Sequence, residues 1–231
     1  RFDSIVAAVE EGRAIFNRLR NVCAFLLTAC IGELIGLILT VFVTGQAPLL
    51  PLQILWINLI SGSIVAIPLG LEPKTGNEMK HPPRDPQMQL LHKGMIYRIG
   101  FMSLLLGLGS FAIFNRFYFH SSLEEARTMV LSTLVAFEWL IALQMRSDEL
   151  PIRKLGVFKN IPLLLAIGSG LALHLCILYI PFFRELFHTQ PLSLSEWGWA
   201  LLPGASIFIL ETLRKEFFPT LFSEEKWKQG A

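Results

Sequence analysis

The residues able to do chemistry in this chain are few, and they lie in apolar surroundings. Glu33 falls near the middle of an apolar run over residues 22–43, and Glu138 near the middle of another over 128–145. Asn58 and Ser61 lie near the middle of a third, over 49–70. A charge at the centre of a bilayer costs about 2.5–3.5 kcal/mol on insertion scales, so a carboxylate there defaults to a functional reading. Oxygen-bearing side chains from three helices at one depth describe a cation site between helices. The bland alternatives are neutral, hydrogen-bonded packing carboxyls at Glu33 and Glu138, and interhelical glue at Asn58.

The neighbours sharpen the pattern. Asn58 and Ser61 are three residues apart and share a helix face. Gly32 and Gly36 flank Glu33 and permit a neighbouring helix to come close. Cys30 lies three residues before Glu33 on the same face; it reads as a packing thiol, or as a thiolate ligand that would favour a softer metal. Ser61, Gly62 and Ser63, with Pro68 beyond them, predict locally loosened backbone whose carbonyls can face an ion. His174 reads as a satisfied core histidine, with a proton relay as the alternative. Glu211 is one turn from Arg214 and Lys215, its expected partners.

These residues need elements that hold them at depth. Six runs are near the 20 residues that a membrane helix requires: 22–43, 49–70, 95–114, 128–145, 161–182 and 197–217. The fold class is therefore all-α and integral to the membrane, a bundle of six transmembrane helices. Residues 1–21 carry mixed apolar and charged positions with Gly12 as the one breaker before the first span. They read as a cytoplasmic stalk helix continuous with that span, a rod of about 40 residues and about 60 Å. The expected division is a stalk over 1–21, a six-span domain over 22–218 with a cytoplasmic loop at 72–94, and a cytoplasmic tail over 219–231. The loop holds Pro73, Pro82, Pro83 and Pro86, too many for a helix, and reads as a docking loop for another domain.

Composition agrees. Of 231 residues, 53% are hydrophobic and only 16% charged, and mean hydropathy is +0.53. This excludes an ordinary soluble domain and a disordered chain. A net charge of +2 is too small to seek phosphates, so no nucleic acid is expected. Cys23, Cys30 and Cys176 have no metal-ligand spacing and form no disulfide framework. Seventeen of the 20 Lys and Arg residues fall on one side of a six-span alternation, which places both termini in the cytoplasm. Trp197 and Trp199 sit where interfacial aromatics sit, and Trp56 lies deeper as a packing residue.

The motifs together resemble a known family. The run "FDSIVAAVEEGRAIFNRLR" resembles the helix leaving the phosphorylation domain of P-type cation-transporting ATPases. "IGELIG" around Glu33 is similar to the fifth membrane helix of the calcium-pump branch, and "PLQILWINLI" to its sixth. "LGLEP" followed by "HPPR" resembles the next loop, "STLVAFEWLIAL" the eighth helix and "LALHLCILYIPFF" the ninth. The resemblance covers the chain from end to end and implies the C-terminal membrane half, family helices five to ten. It implies that Glu33, Asn58, Ser61 and Glu138 are ion ligands, with Cys30 and Gly62 as further lining of the ion site. It implies that Pro82, Pro83 and Arg84 touch the phosphorylation domain. The transported cation would be Ca2+ or another cation; ATP and Mg2+ would act only through the other half of the pump. Partners would be membrane lipid and that N-terminal half, with actuator, phosphorylation and nucleotide domains and the first four helices.

Two positions depart from the branch. Cys30 stands where calcium pumps have an asparagine. Gly62 stands where they have a central sixth-helix aspartate, which removes a charge and up to two ligand oxygens. Calcium takes 6–8 oxygens, and Glu33, Asn58, Ser61 and Glu138 could offer about 5–6 with two negative charges. The sequence has no Asp-Lys-Thr-Gly phosphorylation motif, so it is expected to be part of a larger protein and inactive in hydrolysis alone. The competing reading is a non-enzymatic membrane protein, a passive ion pathway or scaffold that kept the pump fold. A six-helix secondary transporter would need an internal repeat, and the sequence has none.

Overall fold

The structure, a computed structural model, describes residues 2–76, 78, 79 and 90–222. Pro82, Pro83 and Arg84, and most of the loop and tail around them, lie outside the described residues. Among the described residues the secondary structure is helical. Helix α1 (Phe2–Thr44) runs unbroken for 43 residues, about 65 Å at 1.5 Å per residue. It contains no proline, and it stops where Gly45 adopts φ 68° and Pro48 follows. The expected continuous rod is therefore present.

The second span, Pro51–Leu69, is composite. It opens as α2 (Pro51–Leu55) with proline in the first turn, widens into a π-helix over Trp56–Gly62, and closes as α3 (Ser63–Leu69). The remaining long helices are α4 (Lys93–His120), α5 (Leu123–Gln144), α7 (Ile161–Tyr179) and α9 (Leu194–Phe217), with short α6 (Ile152–Leu155) and α8 (Pro181–Phe187) between them. Side-chain caps fix their starts. His92 Nδ1 accepts from Met95 N, Ser122 from Glu125 N and Asn160 from Leu163 N. Ser193 and Glu196 form a reciprocal capping box. Each such cap contributes about 1 kcal/mol.

Five of these helices are long and apolar enough to cross a membrane: α1, the composite second span, α4, α5 and α7. Helix α9, expected as the sixth span, has 24 residues, which is ample length. Its apolar run is diluted by Pro203 and by the charges of Glu196, Glu211, Arg214 and Lys215. It packs along α5, which is buried over nearly its whole length and forms the centre of the bundle.

Helix α1 packs along α4, and small residues set the distance. A Cβ on Gly32 would lie 2.6 Å from Leu106 Cδ2, one on Gly36 2.2 Å from Ser110 Oγ, and one on Gly107 2.4 Å from Ile35 Cγ2. Only glycine admits this meshing. The neighbour anticipated beside Glu33 is thus α4.

Candidate functional site

Three elements converge around the π-helix. From α1 come Cys30 and Glu33, from the π-helix Asn58, Ser61 and Gly62, and from α5 Glu138. Asn58 Nδ2 donates to Glu33 Oε2 at 3.2 Å and to Ile54 O at 3.0 Å. Cys30 Sγ lies 3.9 Å from Asn58 Oδ1 as a weak donor. Ser63 Oγ donates to Asn58 O at 3.1 Å. Glu33, Asn58 and Cys30 thus form one hydrogen-bonded group, in which Glu33 is half-buried and Asn58 and Cys30 are exposed.

The second group is more enclosed. Ser61 is 2% exposed and Glu138 4%. The Ser61 hydroxyl lies within hydrogen-bonding reach of the Glu138 carboxyl, and beyond each other Ser61 Oγ and Glu138 Oε2 are buried with no partner among the described residues. Gly62 faces the same carboxyl: a Cβ there would lie 3.2 Å from Glu138 Oε1 and 3.4 Å from Ile57 O. A buried polar atom without a partner costs about 1–3 kcal/mol, more if charged. Such an atom calls for an explanation, and an ion, a water or a proton is one that a carboxyl and a hydroxyl together can accept. Cys30 is within electrostatic reach of both Glu33 and Glu138, so the two groups adjoin.

The geometry brings all six of the expected residues to the π-helix and its neighbours. It does not gather them into a finished cage: among the described residues no three His, Cys, Asp or Glu side chains converge as metal ligands. The open side is the exposed face of Cys30 and Asn58. Sequence reasoning missed the π-helix itself. Its signal was the Ser61–Ser63 run, which suggests a loose backbone but not its form. A π segment adds one residue per turn and shifts which side chains face inward, and such segments concentrate at functional sites.

His174 is only half satisfied. Ser132 Oγ lies 3.1 Å from Nε2, while the buried Nδ1 has no partner among the described residues. The ring sits edge-on between Trp139 and Trp197, with centroids 6.0 Å from each. Trp56 packs edge-on against Phe187 at 5.2 Å, in keeping with a packing role.

At the end of the bundle where α1 projects, the polar residues behave differently. Asp148 pairs with Arg20 of α1 at 2.6 Å and with Arg98 of α4 at 2.8 Å. Burial alone would push its carboxyl up, but the charges of Arg20 and Arg98 outweigh that and hold it down at about 2. Glu211 pairs with Arg214 at 2.8 Å, as expected, and also with Arg98 at 2.5 Å. Lys215 turns away and donates to Gln144 O and, at 3.1 Å, to Gln144 Oε1. Glu72 receives Arg146 Nε and Nη2 at 2.8–2.9 Å and Asn160 Nδ2 at 2.6 Å. Arg18 and Arg13 of α1 donate to the backbone carbonyls of Glu72 and Glu78, at 2.7 and 3.0 Å. The stalk is therefore tied to the loops at this end by side chains along about two of its turns.

Comparison with known proteins fits this architecture. The family described as "Cation transporting ATPase, C-terminus" matches residues 46–217. A cation-transporting ATPase of Synechocystis sp. is 36% identical over 213 residues, covering 87% of this chain and 23% of the relative. A calcium-transporting ATPase of Saccharomyces cerevisiae is 33% identical over 216 residues, covering 93% of this chain and 23% of the relative. A calcium-transporting ATPase of Bacillus subtilis is 28% identical over 198 residues, covering 85% and 22%. The chain thus spans about a quarter of the length of these relatives.

Proposed function

The chain belongs to the P-type cation-transporting ATPases, as their C-terminal membrane part, and from that premise we propose that it carries the intramembrane ion site of an ATP-driven pump. Glu33, Asn58, Ser61 and Glu138 are the ligands, with Cys30 and Gly62 lining the site. The observation that carries this reading is the pair of buried oxygens Ser61 Oγ and Glu138 Oε2, which face each other and have no further partner among the described residues, beside the Glu33–Asn58 group. The site is completed and driven by an N-terminal half with actuator, phosphorylation and nucleotide domains, docked through the loop that holds Pro82, Pro83 and Arg84. ATP and Mg2+ act in that half. Both termini lie in the cytoplasm.

Each residue has a role that follows from its place. Glu138 supplies a carboxylate from the most buried helix, and its Oε2 is free to bind a cation. Glu33 supplies the second charge from the long rod, so movement of α1 changes the distance between the two carboxylates. Asn58 stands beside Glu33 on the π-helix, orienting it through its amide and offering Oδ1 to an ion. Movement that separates Glu33 from Asn58 weakens the site on one side of the membrane; return restores it.

Calcium is the first cation to test, because relatives with 33% and 28% identity are named calcium-transporting. Gly62 contributes no carboxylate, so the site holds fewer charges than a full calcium site of the branch. A passive pathway is the second reading that this feature favours. The deciding experiment uses the full-length protein. Glu33→Gln and Glu138→Gln are each expected to weaken ion-stimulated phosphorylation by about tenfold or more in ion concentration, about 1.4 kcal/mol. A wild-type ion response in both variants would remove the site assignment. Ion flux without ATP in reconstituted vesicles would favour the passive pathway instead.

A further inference from the structure

A buried arginine shapes an exposed loop at the α1 end of the bundle. The Arg146 side chain is fully buried. While two of its nitrogens hold Glu72, Nη1 donates to Gly156 O at 3.1 Å and to Val157 O at 3.3 Å. Asn160 fixes the far end of the loop through Pro68 O at 3.0 Å and Glu72 Oε2. With two successive carbonyls drawn inward and Gly156 at φ 82°, the tip turns its side chains outward. Phe158 is 80% exposed.

The tip is also basic. Lys154 and Lys159 are exposed on either side of Phe158, and neither has an ion-pair partner among the described residues. The Lys159 stem lies over Gly156, where a Cβ would meet its Cγ at 3.3 Å. Arg153 pairs with Glu216 at 2.8 Å, which brings the end of α9 alongside with Phe217 and Phe218, 68% and 64% exposed.

Position selects the occupant. Asn160 caps α7, whose apolar sequence begins at Ile161, so the tip lies within one turn of the hydrocarbon edge. An apolar ring at that level enters the boundary between headgroups and acyl chains. A lysine near an anionic leaflet gains about 1 kcal/mol. An exposed phenylalanine between unpaired lysines, continuous with a membrane helix, matches both requirements at once.

We propose that the loop over residues 151–160 is an anionic phospholipid site. Lys154 and Lys159 hold the headgroup phosphate, and Phe158 enters the acyl boundary. The buried Arg146–Glu72–Asn160 group presents this surface.

The test uses the full-length pump as the F158W variant in bilayers of phosphatidylcholine mixed with phosphatidylglycerol, one lipid at a time carrying brominated acyl chains. Bromine quenches tryptophan on contact, and the signal is taken as the difference from wild type. Brominated phosphatidylglycerol is expected to quench more strongly than brominated phosphatidylcholine at the same mole fraction. Adding K154Q and K159Q is expected to remove the preference, about fivefold for each lysine. Quenching by neither lipid would overturn insertion. Equal quenching by both, unmoved by the lysine substitutions, would overturn anionic recognition. Loss of the preference on adding inorganic phosphate at constant ionic strength would assign the lysines to a soluble anion and overturn the lipid as occupant. Every arm is read without transported ion or ATP, so its failure is separate from failure of the ion site.

Discussion

Two polar regions of this molecule are built to opposite rules. At the α1 end, Glu72, Asp148 and Glu211 each face cationic partners at 2.5–2.9 Å. Around the π-helix, Glu138 is as well buried, yet it faces the Ser61 hydroxyl and no cationic side chain among the described residues. A buried charge that is fully paired specifies one arrangement and is costly to disturb. A buried carboxyl left open is held in place by its surroundings and awaits something else. The first region is structural, and the second is the one for which we propose a binding role.

The largest expected effect comes from breaking the paired region. Glu72→Gln leaves the Arg146 guanidinium buried without its countercharge, which costs about 3–5 kcal/mol. Thermal unfolding of the full-length protein in detergent should show a clearly lowered midpoint. Glu138→Gln, by contrast, should leave that midpoint unchanged or raised, since it removes a carboxyl that the fold does not pair. Equal losses in the two variants would erase the distinction between the regions.

A second effect separates them by pH. Asp148 is held at about 2 in the folded chain, below the unfolded value of about 3.9. A depressed carboxylate contributes stability that is complete well above the unfolded value and disappears as pH falls through the folded one. The stability advantage of wild type over Asp148→Asn should therefore be constant above about pH 5 and vanish towards about pH 2. An advantage that persisted undiminished at the acid end would show that the Arg20 and Arg98 pairs do not carry it.

The smallest effect probes the open region directly. Gly62→Ala places a methyl 3.2 Å from Glu138 Oε1, so the carboxyl must shift by a few tenths of an ångström. Ion-stimulated phosphorylation of the full-length protein should move by a few-fold, about 0.5–1 kcal/mol, with no change in unfolding midpoint. An unaltered ion response would place Gly62 outside the site.

Much of this was legible in the sequence, for a physical reason. Helix periodicity and the cost of burying charge act locally, so apolar runs, the α1 rod and the places of Glu33, Asn58 and Glu138 within their helices could be read directly. The Gly32 and Gly36 spacing announced a close neighbour, though not that α4 would supply it. The paired region was hidden because its bonds join distant parts of the chain. Arg20 and Asp148 are 128 residues apart, and Arg146 and Glu72 are 74 apart. Arg98 and Arg146 counted in the sequence only as basic residues on one side, whereas both are buried in ion pairs. The π-helix was hidden because one extra residue in a turn leaves no separate mark on an apolar pattern.

The meshing of Gly32 and Gly36 with α4 has a mechanical consequence. A rod whose teeth are engaged at that level cannot roll about its own axis without climbing out of the groove. It can still rock, with the engaged teeth as fulcrum. Glu33 sits at that fulcrum, while the first residues of α1 lie about 45 Å away along the axis. A wide swing of the far end therefore arrives at Glu33 as a small change of angle, so the rod acts as a reduction gear between that end and a carboxylate.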